Sequence, residues 1–233
     1  MADLSLKFLI GRKRGMTQRF ADDGGIVPLT VVSAGPCIVT QLRTKEANGY
    51  DAIQLGFEEC RTKLLSKPVL GHLGVSAGGE KKKKSKGAAA SGEESPRRGK
   101  GLRVLREARL PKLPEAKVGD TVTVASFAKG DVVDVLGISK GRGFMGTIRA
   151  HHFNRGPGSH GSMNIRQPRS VGSSADPSDT FRGTRMAKHL GAANHTAKNL
   201  RVFDVDPEGN LLYIRGAVAG PTGGLVVVRT AKT

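Results

Sequence analysis

Between Val135 and Ala175 the 233-residue sequence holds no Asp or Glu. The same stretch carries Lys140, Arg142, Arg149, Arg155, Arg166 and Arg169, with His151, His152 and His160 among them. Gly and Ser are interspersed, at Gly141, Gly143, Gly146, Gly156, Gly158, Ser159, Gly161 and Ser162. Such a segment cannot bury enough apolar surface to offset its ordering entropy, so its shape has to be supplied from outside. Closely spaced phosphates would supply it. Guanidinium groups bridge phosphate oxygens bidentately, and glycine lets the backbone approach a sugar-phosphate chain. Phe144, Phe153 and the His rings could stack on splayed bases. A solvated cationic loop is the bland alternative, but solvated loops usually mix both signs of charge.

Two other chemistries could use the same residues. Gly141-Arg142-Gly143-Phe144-Met145-Gly146 has the GxGxxG spacing of a dinucleotide loop. That fingerprint should open a helix and meet an acidic residue about 20 positions later. Here Pro157 interrupts, and no acid appears before Asp176. No nicotinamide cofactor is expected, nor any other. The three histidines could form a metal or acid–base cluster, but such histidines usually need carboxylate orienters. The segment has none, so neither a metal site nor a catalytic residue is expected.

The flanking sequence must hold this segment in place. Leu6–Ile10, Ile26–Val32, Cys37–Leu42 and Ala52–Phe57 read as strands. Turn signals at Asp22-Asp23-Gly24-Gly25, Ala34-Gly35-Pro36 and Asn48-Gly49 separate them. Strand signals return at Leu102–Leu110, Thr121–Phe127 and Val132–Leu136. They close with Leu200–Val205, Leu211–Ile214 and Leu225–Arg229, the first two joined by a turn at Asp206–Asn210. Short, evenly punctuated strands predict a small antiparallel barrel or sandwich. The acid-free segment is then an internal excursion anchored at both ends by strands. Ser178–Gly191 reads as a short helix, capped by Ser178 or Asp179 and stopped by Gly191. It would put Arg182, Arg185 and Lys188 on one face. An irregular Gly-rich arm without a recognition helix fits folded RNA better than a DNA groove.

Composition agrees. Lys and Arg number 38 against 20 Asp and Glu, a net charge of +18 with a pI near 10.4. Such a chain attracts polyanions and repels its own copies. Residues 78–100 add eight Lys or Arg against three Glu, with no apolar periodicity, and read as a disordered basic insertion. No apolar run approaches the roughly 20 residues of a membrane span. Met1–Ile10 lacks the apolar core of a signal peptide. Cys37 and Cys60 stand apart without metal-ligand spacing, and the chain reads as cytoplasmic.

Several motifs, in order along nearly the whole chain, resemble one family. They are Leu9-Ile10-Gly11-Arg12-Lys13-Arg14-Gly15-Met16-Thr17, Gly35-Pro36-Cys37-Ile38-Val39-Thr40-Gln41 and Gly49-Tyr50-Asp51-Ala52-Ile53-Gln54-Leu55-Gly56-Phe57. The arm adds Ser139-Lys140-Gly141-Arg142-Gly143-Phe144 and Arg155-Gly156-Pro157-Gly158-Ser159-His160-Gly161-Ser162; the end adds Asn210-Leu211-Leu212 and Gly216-Ala217-Val218. The sequence resembles the universal large-subunit ribosomal protein L-three family, in a bacterial or organellar form. The resemblance implies a mostly β fold: a six-stranded translation-protein-type β-barrel with a long irregular basic extension and at most short helices. It also implies a non-enzymatic constituent of the cytoplasmic large ribosomal subunit. Such a constituent binds 23S-type rRNA, supports early assembly and shapes the surroundings of the peptidyl transferase centre through its arm. Ribosomal proteins L-fourteen and L-nineteen would be neighbours; no membrane or small-molecule substrate is expected. The family's loop tip corresponds to Phe153–Met163. Some members carry a methylated Gln just after the Arg of that tip, a position held here by Gly156, so the modification is expected to be absent.

The expected organisation is therefore a β-barrel core from residues 1–77, 101–136 and 199–233, a disordered basic insertion at 78–100, and an extended rRNA-penetrating arm at 137–198. The residues expected against rRNA are Arg12, Lys13, Arg14, Lys140, Arg142, Arg149, His151, His152, Phe153, Arg155, His160, Arg166, Arg169, Arg182, Arg185 and Lys188. Two rivals make different predictions. A free RNA chaperone would not stay with large subunits through a high-salt wash. A His-dependent nuclease would show turnover that His160→Ala abolishes.

Overall fold

A computed structural model describes residues 6–75, 100–111, 114 and 116–231. The expected disordered insertion, up to residue 99, lies outside them. The elements in chain order are β1 (Phe8–Phe20), β2 (Ile26–Ala34), β3 (Cys37–Arg43), α1 (Lys45–Asn48), β4 (Ala52–Arg61), α2 (Lys67–His72), β5 (Lys100–Arg109), β6 (Thr121–Val122) and β7 (Val132–Ile138). There follow β8 (Phe144–Met145), α3 (Thr147–His151), β9 (Lys188–His189), β10 (Asn194–Asp206), β11 (Leu211–Arg215) and β12 (Leu225–Thr230).

The expected barrel is present. Six strands close in the order β1-β12-β7-β10-β11-β2, all neighbours antiparallel. Alternation puts one set of side chains inside: Leu9, Val228 and Val135 share one set of register positions and are fully buried, as are Val32 and Leu212. Barrel closure leaves no edge at these strands.

The segment between β2 and β7 forms a second sheet, in the order β5-β4-β3-β6. It packs on the outside of the barrel, and one hydrophobic cluster joins Ile10, Cys37, Val39, Ile53, Leu55 and Val122 to the barrel interior. At this seam the Ile10 N–H donates to Cys37 Sγ, and the Cys37 thiol donates to Ile10 O, both at 3.4 Å. Burial pushes the Cys37 thiol up to about 11, which keeps it protonated for that role.

Strand lengths differ from the sequence expectation where polarity hid them. β1 runs on to Phe20 through the basic stretch after Ile10, and β10 begins at Asn194 rather than Leu200. Conversely, Thr121–Phe127 gives only a two-residue strand, followed by a 3-10 turn at Val124–Ser126.

Candidate nucleic-acid interface

The arm leaves the barrel as a continuation of β7 and returns into β10. Its root is a two-stranded ribbon. The Ser139 N–H donates to Ala193 O (3.0 Å) and the Ala192 N–H to Ser139 O (3.2 Å). Farther out, the Arg142 N–H reaches Leu190 O (2.8 Å) and the Leu190 N–H reaches Gly143 O (2.9 Å). The ribbon ends with β8 paired to β9, Phe144 opposite His189 and Met145 opposite Lys188. Gly191 makes this root possible. Its φ is +77°, and a Cβ there would lie 2.0 Å from Lys140 O.

Beyond the ribbon comes α3. One ring nitrogen of His151, Nε2, lies 2.9 Å from Met186 O, so it donates there, and the ring lies 6.2 Å from that of Phe153. The outermost loop, from Asn154 to Gly183, closes on itself mainly through the Gly156 N–H to Ile165 O bond (2.9 Å). Gly156 sits so close to the returning chain that a Cβ would fall 2.3 Å from Asn164 O. Among the described residues of the arm from 139 to 193, Thr147 alone is buried.

The short helix expected at Ser178–Gly191 does not form. Ser178 and Gly183 have positive φ, and Lys188 belongs to β9. The segment buries no apolar face, and an isolated helix of that length is marginal in water. Arg182, Arg185 and Lys188 are therefore not aligned by a helix, although all three are exposed.

Lys140, Arg142, Arg149, Arg155, Arg166, Arg169, Arg182, Arg185 and Lys188 are all exposed. None of the nine has an ion pair with a described carboxylate. His152 and His160 are exposed with left-handed backbone, while His151 and Phe153 are half-buried. The sequence reading missed His189, which is exposed opposite Phe144 on the ribbon. Its position directly after Lys188 was the available signal.

The three consecutive cations Arg12, Lys13 and Arg14 of β1 have separate fates. Arg14 is exposed. Lys13 is buried; its ammonium donates to Val218 O (2.7 Å) and Gly220 O (3.3 Å). Burial first, and then Lys140, push its pKa below the usual lysine value. Arg12 bridges the two sheets. It pairs with Glu58 on β4 through Nε and Nη2 and donates from Nη1 to Gly223 O (2.6 Å). The hydrogen bonds between them raise the Arg12 pKa and hold the Glu58 carboxyl below the usual range. Lys13 is thus engaged inside the protein and half-buried Arg12 is held by Glu58 and Gly223, while Arg14 is the exposed cation of the three.

Among the described residues there is no group of three or more His, Cys, Asp or Glu able to hold a metal ion. No helix among them is long and apolar enough to cross a membrane.

Comparison with known proteins agrees with this architecture. A family model described as Ribosomal protein L3 matches residues 112–210, which include the whole arm. The chain is 45% identical over 226 residues to large ribosomal subunit protein uL3 of Solibacter usitatus, covering 96% of this chain and 98% of that relative. It is 43% identical to the protein of the same name from Heliobacterium modesticaldum over 228 residues, covering 98% of each chain. The Syntrophotalea carbinolica protein, also 43% identical, is covered over 98% of its length and matches 97% of this chain. With near-complete coverage of both partners and a closed six-stranded barrel, the chain belongs to the ribosomal protein L3 family.

Proposed function

We propose that this protein is a structural, non-catalytic constituent of the large ribosomal subunit in the cytoplasm, and that its arm binds the subunit's rRNA. One observation carries the second part: nine exposed cations on a segment with almost no core of its own, without carboxylate partners among the described residues. Charges of one sign held this way repel each other in the free chain and are stabilised when phosphates come between them. In this reading Lys140, Arg142, Arg149, Arg155, Arg166, Arg169, Arg182, Arg185, Lys188 and Arg14 neutralise phosphates. His151, His152, Phe153 and His160 pack against bases or riboses. Arg12 and Lys13 support the interface from inside by fixing the barrel beneath Arg14 and Lys140.

The arm reaches towards the peptidyl transferase centre and acts on its geometry indirectly, through charge and packing against the rRNA. Early binding during subunit assembly and contacts with ribosomal proteins L-fourteen and L-nineteen complete the proposal.

Two measurements test it. After a high-salt wash, the chain should sediment with large subunits in a sucrose gradient; recovery at the top of the gradient would contradict the assignment. Neutralising roughly 6–10 phosphates should weaken rRNA binding by the free chain by about 10³–10⁵ between 50 and 200 mM salt. A nearly flat salt dependence would exclude the arm as the binding element.

A further inference from the structure

The β1–β2 hairpin extends past the end of the barrel, and the face that continues the barrel's interior side, in line with Val32 and Thr30, is apolar and open there. Phe20 pairs with Ile26, Gln18 with Pro28 and Met16 with Thr30. Residues two apart on a strand and directly opposite across a ladder share a face, so Met16, Gln18, Phe20, Ile26 and Pro28 lie together. Phe20 is 74%, Ile26 59% and Met16 53% exposed. Past the rung that joins Leu29 to Arg215, the hairpin pairs with no third strand among the described residues. A free two-stranded ribbon is marginal in water, and large side chains clustered on its open face mark a contact surface rather than scattered exposure.

The charge around this face is opposite to that of the arm. The hairpin turn carries Asp22 and Asp23, both exposed. The nearby cations belong to the other face. Arg19 pairs with Asp204 at 2.8 Å and lies 4.1 Å over the Tyr213 ring, and Arg215 shares a rung with Leu29. Phosphates approaching the hairpin end would meet two carboxylates, and of the large side chains on this face Phe20 alone offers a π-face to a base. A second copy of this chain would set the same carboxylates against each other under a net charge of +18.

We propose that the open face of this hairpin, centred on Phe20 and Ile26, is a protein-docking surface for a different chain: one presenting an apolar patch with a Lys- or Arg-rich rim that meets Asp22 and Asp23. This rests on the large-subunit assignment above and assigns a protein contact to the hairpin face that RNA does not suit.

The test is photocrosslinking in assembled particles. The chain carrying p-benzoylphenylalanine in place of Gln18 is incorporated into large subunits, irradiated, digested and analysed by mass spectrometry. The expected adduct lies on a segment of another protein with apolar residues flanked by Lys or Arg. An adduct on rRNA, on a second copy of this chain or on a segment lacking those residues overturns the proposal, as does the absence of any adduct. The same chain with Phe20→Ser and Ile26→Ser should keep its melting temperature and its rRNA affinity as a free protein, while the crosslink falls at least tenfold. An unchanged yield overturns the proposal. A chain missing from the large-subunit fraction overturns the assignment itself, and this surface with it; a chain present there but crosslinked to RNA overturns this surface alone.

Discussion

The barrel and the arm belong to one chain but solve the folding problem in opposite ways. The barrel, with the sheet packed on it, is held by a continuous cluster of buried Leu, Ile, Val and Phe. Several of its charges are paired internally: Lys7 with Asp131, Arg19 with Asp204, Arg43 with Glu107 and Arg229 with Asp134. The arm has a hydrogen-bonded ribbon at its root and a loop beyond it with hardly any buried side chain, and its cations lack described partners. The barrel therefore supplies its own stability, while the outer arm is stabilised by what surrounds it. Substitutions in the two regions should report on different equilibria.

The sharpest contrast comes from core truncation. Leu9→Ala or Ile53→Ala removes a fully buried side chain and should cost about 2–5 kcal/mol in urea unfolding. Arg155→Ala, at the arm tip, should leave that transition within about 0.5 kcal/mol of the parent. Comparable losses at both sites would erase the distinction.

Lys13→Met tests where the boundary between the regions lies. By charge alone Lys13 belongs with the RNA-facing cations, but its ammonium is buried on two carbonyl oxygens. The variant should lose roughly 1–3 kcal/mol of stability by stranding the Val218 carbonyl, while the salt dependence of rRNA binding stays that of the parent. Parental stability combined with a shallower salt slope would move Lys13 into the interface.

A smaller effect concerns acid stability. The Ala128 N–H first, and then Lys7, hold the Asp131 carboxyl below its ordinary value. A carboxyl depressed in the folded state adds stability above its unfolded value of about 3.9, and loses it as pH falls through the folded value. At neutral pH Asp131→Asn should cost about 0.5 kcal/mol, since the partner lysine is partly exposed. Parent and variant should converge in acid. A difference that persists or grows there would assign the stabilisation to something other than ionisation.

How much of this was legible in the sequence follows the same division. Ile26–Val32, Ala52–Phe57 and Leu225–Arg229 were readable because burial forces apolar or alternating residues there, and the cationic arm was readable because acids are missing from it. The outer half of β1 was not, because Gly11 to Phe20 is basic and polar and its pairing is set by β2 across the turn. The ribbon at the arm root was also hidden: its hydrogen bonds are made by backbone, and Ser139, Lys140 and Gly191 leave no periodic trace. The helix expected at Ser178–Gly191 failed for the complementary reason, since cap residues and spacing propose a helix that no packing supports. Lys13 lies deeper than its position among three cations suggests, because sequence shows charge but not depth. The exposed face of Phe20 and Ile26 could be found only once the register placed those two residues opposite each other.

Hydrogen exchange at residues 153–183, compared between the free chain and assembled large subunits, tests the central claim most directly. In the free chain these amides should exchange almost without protection while those of Val135 and Val228 in the barrel are slow; in the particle the same arm amides should become strongly protected. Strong protection of the arm in the free chain, or its absence in the particle, would contradict the account.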